Sequence, residues 1–154
     1  MQTFDFCDLT RGKVVIVIDV MGTLCIDMSS LGLEGEDRYK LNMNMVDFVK
    51  FCNETMGTVV AYVQSSNHGE MHMRLGTILN DAIGIEFEQI ITSEYLDIAK
   101  SLKYISSIMG CELSEILLIS DNNNYREVAT KELGVTAVGP SIITVTEADN
   151  LPFN

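Results

Sequence analysis

The sequence predicts an α/β protein, a three-layer, Rossmann-like parallel sheet, and three observations predict it. Short β-branched runs alternate along the chain with longer stretches of helical spacing. Those runs are apolar almost throughout, as in strands buried on both faces. Each helical stretch then stops at a glycine (Gly57, Gly84, Gly110, Gly134), where the chain can turn back into the next strand.

Element by element, KVVIVID over residues 13–19 is the first strand. Residues 20–41 follow, rich in Gly, Asp and Ser and without a clear period. Met45, Phe48, Val49, Cys52 and Met56 recur at helical spacing, and TVVAYV over 58–63 is the second strand. Leu75, Ile78, Leu79, Ala82 and Ile83 stripe a second helix, and FEQIIT over 87–92 is a third strand. Ile98, Leu102, Ile105 and Met109 mark a third helix, after which Ser114 is a candidate cap before the strand EILLIS at 115–120. Val128, Ala129 and Leu133 belong to a fourth helix, and VTAVG at 135–139 is a fifth strand. The tail either adds a strand at 142–145 or wraps an edge.

Composition narrows the role. The 154 residues, 47% of them apolar, with 2 Pro and 11 Gly, suit one domain spanning 1–154 with a core of its own. A net charge of -12 repels phosphate backbones and anionic lipid, so direct nucleic-acid or membrane binding is not expected. It favours cationic partners, including the basic faces of proteins that handle nucleic acid. The polar, acidic start MQTFDFCDLTRGK is unlike a signal peptide, and no apolar run approaches the length of a membrane span. The expectation is a soluble, cytoplasmic protein, a monomer or weak dimer. Cys7, Cys25, Cys52 and Cys111 form no CxxC or CxxH spacing and read as reduced, buried hydrophobes.

In a parallel sheet, ligands bind beyond the carboxyl ends of the strands, which directs attention to residues 19–23, 64–67, 92–95 and 120–125. VVIVIDVMGTLC runs an apolar strand straight into Asp19, then Gly22, Thr23 and Leu24. It resembles the first motif, hhhhDxDGT[LV], of the haloacid dehalogenase (HAD) superfamily. The resemblance implies that Asp19 is the nucleophile that takes a phosphoryl group. Gly22 permits the tight turn beneath it, and Thr23 secures the loop by hydrogen bonds. TVVAYVQSSN resembles the second motif, whose hydroxyl binds phosphoryl oxygens, and Ser65 or, a residue on, Ser66 takes that place. Both also read as ordinary turn serines. Lys100, with Lys103 one turn away, stands where the family keeps a charge-neutralising lysine or is simply a solvated helix lysine. ILLISDNNNYREVATKELGVTAVG resembles the fourth motif, hhhhGDxxxDhxxAxxxGh, with Asp121 at the first acid.

Two departures set the functional expectation. Met21 stands where phosphatases of the family carry the general acid/base Asp, and Tyr125 where the fourth motif places its second acid. The resemblance still implies a weak Mg²⁺ site on Asp19, the Met21 carbonyl, Asp121 and waters, because Mg²⁺ needs few protein carboxylates. A thioether cannot transfer a proton, and acid–base catalysis is worth roughly 10²–10⁴-fold. The dehalogenase branches, with SSNxxD in the fourth segment, are matched at Asn122 but lack their Asp and their cap here. The stretch 20–41 has room for a loop and hairpin but not a lid domain, so no cap domain is expected.

The first expectation is therefore a degenerate HAD-fold protein with little or no phosphatase activity that acts mainly by binding another protein with a basic surface, a nucleic-acid-handling one such as a polymerase. The alternative is a Mg²⁺-dependent phosphohydrolase with an aspartyl-phosphate on Asp19. His68 and His72 flank Glu70 without a third ligand nearby and read as ordinary histidines; EGED at 34–37 reads as a solvated loop.

Overall fold

A computed structural model describes residues 10–20, 22–27, 31–32, 39–55, 59–64, 89–93 and 98–140. In order these form β1 (Val15–Asp19), β2 (Cys25–Asp27), β3 (Tyr39–Leu41), α1 (Met43–Thr55), β4 (Val59–Gln64) and β5 (Gln89–Ser93). Then come α2 (Ile98–Met109), a 3-10 turn (Leu113–Glu115), β6 (Ile116–Ile119), α3 (Asn123–Leu133) and β7 (Thr136–Val138). The expected second helix around Leu75–Ile83 and the tail at 142–145 lie outside the described residues.

Five strands make one parallel sheet in the order β5-β4-β1-β6-β7. The chain thus builds outward from β1 through β4 to β5, then crosses back to start β6 on the other side of β1. That reversal falls between β1 and β6, and it is beyond the carboxyl ends of strands at such a point that open α/β sheets hold ligands.

The apolar run predicted for β1 is buried on both faces, with Val15, Ile16, Val17 and Ile18 all at 0% exposure. On one face Val15 and Val17 join Ile116 and Leu118 of β6, Ile98, Leu102 and Ile105 of α2, and Ala129 and Val135. On the other, Ile16, Ile18, Leu117 and Ile119 are as fully buried. Helix α1, which packs along β4, buries Met45, Val46, Phe48, Val49 and Cys52. This is the three-layer arrangement expected of apolar parallel strands.

Some boundaries move for local reasons. β1 begins at Val15 rather than residue 13; Val14 before it is exposed, and its N–H donates to the Glu115 carbonyl at 2.8 Å. Lys13 instead anchors the amino end of the sheet, donating to the Ser114 carbonyl at 2.8 Å and to Thr136 Oγ1 at 2.7 Å. Ser114 is not the cap before β6. The turn starts at Glu112, whose N–H donates to Glu115 Oε1 at 2.9 Å, because a carboxylate three residues on reaches back where the serine hydroxyl does not. The aperiodic stretch after β1 contains an antiparallel hairpin, pairing Cys25 with Leu41 and Asp27 with Tyr39.

Candidate active site

Asp19 is the last residue of β1, and Asp121 lies two residues past the end of β6. The two strands are neighbours, with Val17 opposite Leu118 and Ile18 opposite Ile119. Extending that register places Asp19 level with Ser120, on the same face by the two-residue period of a strand. Accordingly, Ser120 Oγ donates to Asp19 Oδ2 at 2.6 Å. Ser120 is fully buried and Asp19 is 6% exposed, so this is a hydrogen bond out of water, to a group that is charged when ionised.

Below the carboxylates the chain turns tightly. Thr23 and Leu24 donate their N–H groups to the Val20 carbonyl at 3.3 and 2.9 Å, closing the turn after β1. Gly22 adopts φ +90°, and a Cβ there would stand 2.5 Å from Asp121 Oδ2 and 2.7 Å from Oδ1. Only glycine combines that backbone angle with that approach. Thr23 is 1% exposed, and its Oγ1 accepts from the Asp121 N–H at 3.1 Å. The threonine hydroxyl therefore ties the loop after β1 to the loop after β6, and the expected securing role is visible as one bond.

Three residues that sequence reasoning did not assign complete the frame. Asn42 caps α1 through Oδ1, which accepts from the Met45 N–H at 3.4 Å, while its Nδ2 donates to the Thr23 carbonyl at 3.3 Å. Arg126 donates from Nη1 to the Ser120 carbonyl at 2.6 Å, holding the end of β6 against α3. Ser120 itself occupies the glycine position of the fourth motif, and that substitution was the signal available in the sequence. Asn122, noted above for its match to another branch, caps α3 by accepting from the Tyr125 N–H at 3.2 Å. Tyr125, in place of the second acid, packs against the apolar cluster between α2, α3 and the sheet.

Electrostatics follow from burial. The Asp19 carboxyl stands at about 6, up from 3.8: loss of water raises it most, the Ser120 hydrogen bond pulls it down, and the charge of Asp121 adds to the rise. A cation between the two carboxylates would relieve both the desolvation and the repulsion. Among the described residues no group of three His, Cys, Asp or Glu side chains converges, and the described acids that meet here are Asp19 and Asp121. Such a sparse set fits Mg²⁺, which keeps several waters and shares phosphate oxygens, better than it fits a metal needing a closed protein cage.

Of the remaining predicted residues, Lys100 is exposed in the first turn of α2. That helix joins two parallel strands, so its first turn lies at the carboxyl side of the sheet, where Asp19 also ends. Met21, Ser65 and Ser66 lie outside the described residues; β4 ends at Gln64, immediately before the two serines.

No family model matches the sequence, and no curated protein matches it. Solved structures do match. One is the N-terminal part of a Bacteroides fragilis protein containing a phosphatase domain, complexed with Mg, at TM-score 0.66 and 13% identity, covering 88% of this chain and 38% of that one. Another is a HAD-superfamily hydrolase of subfamily IA from Geobacter sulfurreducens, at TM-score 0.60 and 13% identity, covering 82% and 89%. A third is 3-deoxy-D-manno-octulosonate 8-phosphate phosphatase from Moraxella catarrhalis, in complex with magnesium, phosphate and its sugar acid. It matches at TM-score 0.56 and 19% identity, covering 84% and 68%. With its sheet order and these likenesses, the chain has a HAD-like α/β fold.

Proposed function

We propose that the chain carries a phosphoryl-transfer site of the aspartyl-phosphate type, restricted to phosphates whose leaving group departs without a proton. The observation that carries this reading is the pairing of Asp19 and Asp121 across the reversal in strand order. A carboxylate with its pKa near 6 is ionised at neutral pH and keeps a lone pair for attack. An Asp19 oxygen forms a bond to phosphorus, the bond from phosphorus to the leaving oxygen breaks, and its electron pair leaves with that oxygen. Water then cleaves the acyl phosphate, returning inorganic phosphate and the free carboxylate.

Asp19, Asp121 and the Met21 carbonyl would hold Mg²⁺, which supplies charge neutralisation at the phosphoryl oxygens. Ser65 or Ser66 would donate to those oxygens, and Lys100 or Lys103 would add positive charge. Met21 cannot protonate a leaving alkoxide or activate water, so alkyl phosphates are poor substrates and acyl or aryl phosphates the better ones.

The test is hydrolysis of p-nitrophenyl phosphate with Mg²⁺, set beside a sugar phosphate. Slow aryl turnover or a burst, lost in Asp19→Asn, is expected, with no alkyl turnover. Met21→Asp should raise the rate, by at most roughly 10²–10⁴-fold. Aryl hydrolysis that survives Asp19→Asn overturns the assignment of the nucleophile. A second reading, favoured by Met21, Tyr125 and the charge of -12, is that the same fold works chiefly by docking a basic protein partner.

A further inference from the structure

We infer that Ser120 is the positioning residue of Asp19: its hydroxyl pins Oδ2 and leaves Oδ1 as the oxygen that attacks phosphorus. This deepens the phosphoryl-transfer reading and rests on it for the identity of the attacked atom. The argument is one of hydrogen-bond polarity. Ser120 Oγ lies 3.0 Å from the Asn122 backbone N–H, which can only donate, so the serine oxygen accepts there. A hydroxyl has one proton, and the remaining partner, Asp19 Oδ2 at 2.6 Å, must receive it. The direction of the bond is therefore set by the backbone rather than by a freely turning hydroxyl.

The serine is itself held in place. Its N–H donates to the Val138 carbonyl at 3.1 Å, and its own carbonyl accepts from Arg126 Nη1 at 2.6 Å. Both ends of the residue are thus tied to neighbouring elements, and it is fully buried. A donor fixed in this way selects one orientation of the Asp19 carboxylate out of the rotation that its terminal bond would otherwise allow. When Oδ1 forms its bond to phosphorus, the leaving-group bond breaks and Oδ2 becomes the acyl carbonyl oxygen. Ser120 remains able to donate to that carbonyl, so the contact persists through the transfer.

Two measurements on Ser120→Ala test this. The first uses p-nitrophenyl phosphate with Mg²⁺. The variant should lower kcat or burst rate by roughly 10–100-fold with KM unchanged, because orientation of the nucleophile is lost and substrate contacts are not. Unchanged kcat, or a change in KM alone, overturns the proposal.

The second needs no activity and reads the orientation of the Asp19 carboxylate about its Cβ–Cγ bond in high-resolution crystal structures of both proteins, together with amide exchange at Asn122. The unmodified protein should show one carboxylate orientation, with Oδ2 on Ser120 Oγ, and a protected Asn122 amide. Ser120→Ala should show a rotated or split carboxylate and faster exchange. A split carboxylate already in the unmodified protein, or an identical orientation in the variant, overturns the positioning role. Absence of any Asp19-dependent hydrolysis, with these orientations as expected, instead defeats the phosphoryl-transfer reading and the Oδ1 assignment while the pinning stands.

Discussion

Gly22 and Asp19 show how closely the site is drawn at the scale of single residues. At Gly22 an added Cβ meets the Asp121 carboxylate at 2.5 Å, and φ is +90°. At Gly110 the angle is also left-handed, at +66°, but nothing stands within 4 Å. Gly110→Ala therefore measures backbone strain alone, while Gly22→Ala adds displacement of Asp121. Urea unfolding should show both destabilised, with Gly22→Ala the worse and its total loss about 1–3 kcal/mol. Asp19 makes a pH prediction. Its carboxyl binds a proton more tightly when folded (about 6) than at its ordinary value of 3.8. Between those values the folded state holds more protons, so stability falls as pH rises and the penalty is complete above about 6. Asp19→Asn removes the charge and still offers an oxygen to Ser120. It should stabilise the metal-free protein at pH 7 by up to ~3 kcal/mol and hardly at all below pH 3.8. Equal melting temperatures of the two proteins at pH 7 would contradict this.

At the scale of elements, the helices behave as amphipathic covers whose buried stripe matters more than their exposed one. In α2, Leu102 and Ile105 are fully buried against β1 and β6, while Tyr104 is 52% exposed. Leu102→Ala should cost about 2–5 kcal/mol through lost burial and the cavity left behind. Tyr104→Ala should stay within about 0.5 kcal/mol. Denaturant midpoints for the two variants check the pair. Between elements, the loops after β1 and β6 are cross-tied by Thr23 to Asp121, Ser120 to Asp19 and Asn42 to Thr23. These ties link segments far apart in sequence, so the site is assembled by the sheet and not by any one loop.

For the molecule as a whole, the -12 charge sets what it can approach. Among the described residues no helix is long and apolar enough to cross a membrane. If docking to a basic protein is its main work, capture from lysate should weaken steadily between low and high salt and survive Asp19→Asn. Salt-insensitive capture would point to an apolar interface instead. Loss of the biological effect in Asp19→Asn, with the fold intact, would return the weight to phosphoryl transfer.

The sequence by itself determined the strand–helix alternation, the burial of β1 on both faces, and the placing of Asp19 and Asp121 at the ends of two strands. These are local matters, written in the apolar runs and in the motif that ends the first strand. It also marked Gly22 and Thr23, because a tight turn under a strand end demands such residues. Only the tertiary structure decided that β6 pairs with β1 in a register that sets Ser120 beside Asp19. That contact joins residues 101 apart in the chain, and no local pattern encodes a long-range register. The same holds for Asn42, whose Thr23 partner stands 19 residues back in the chain.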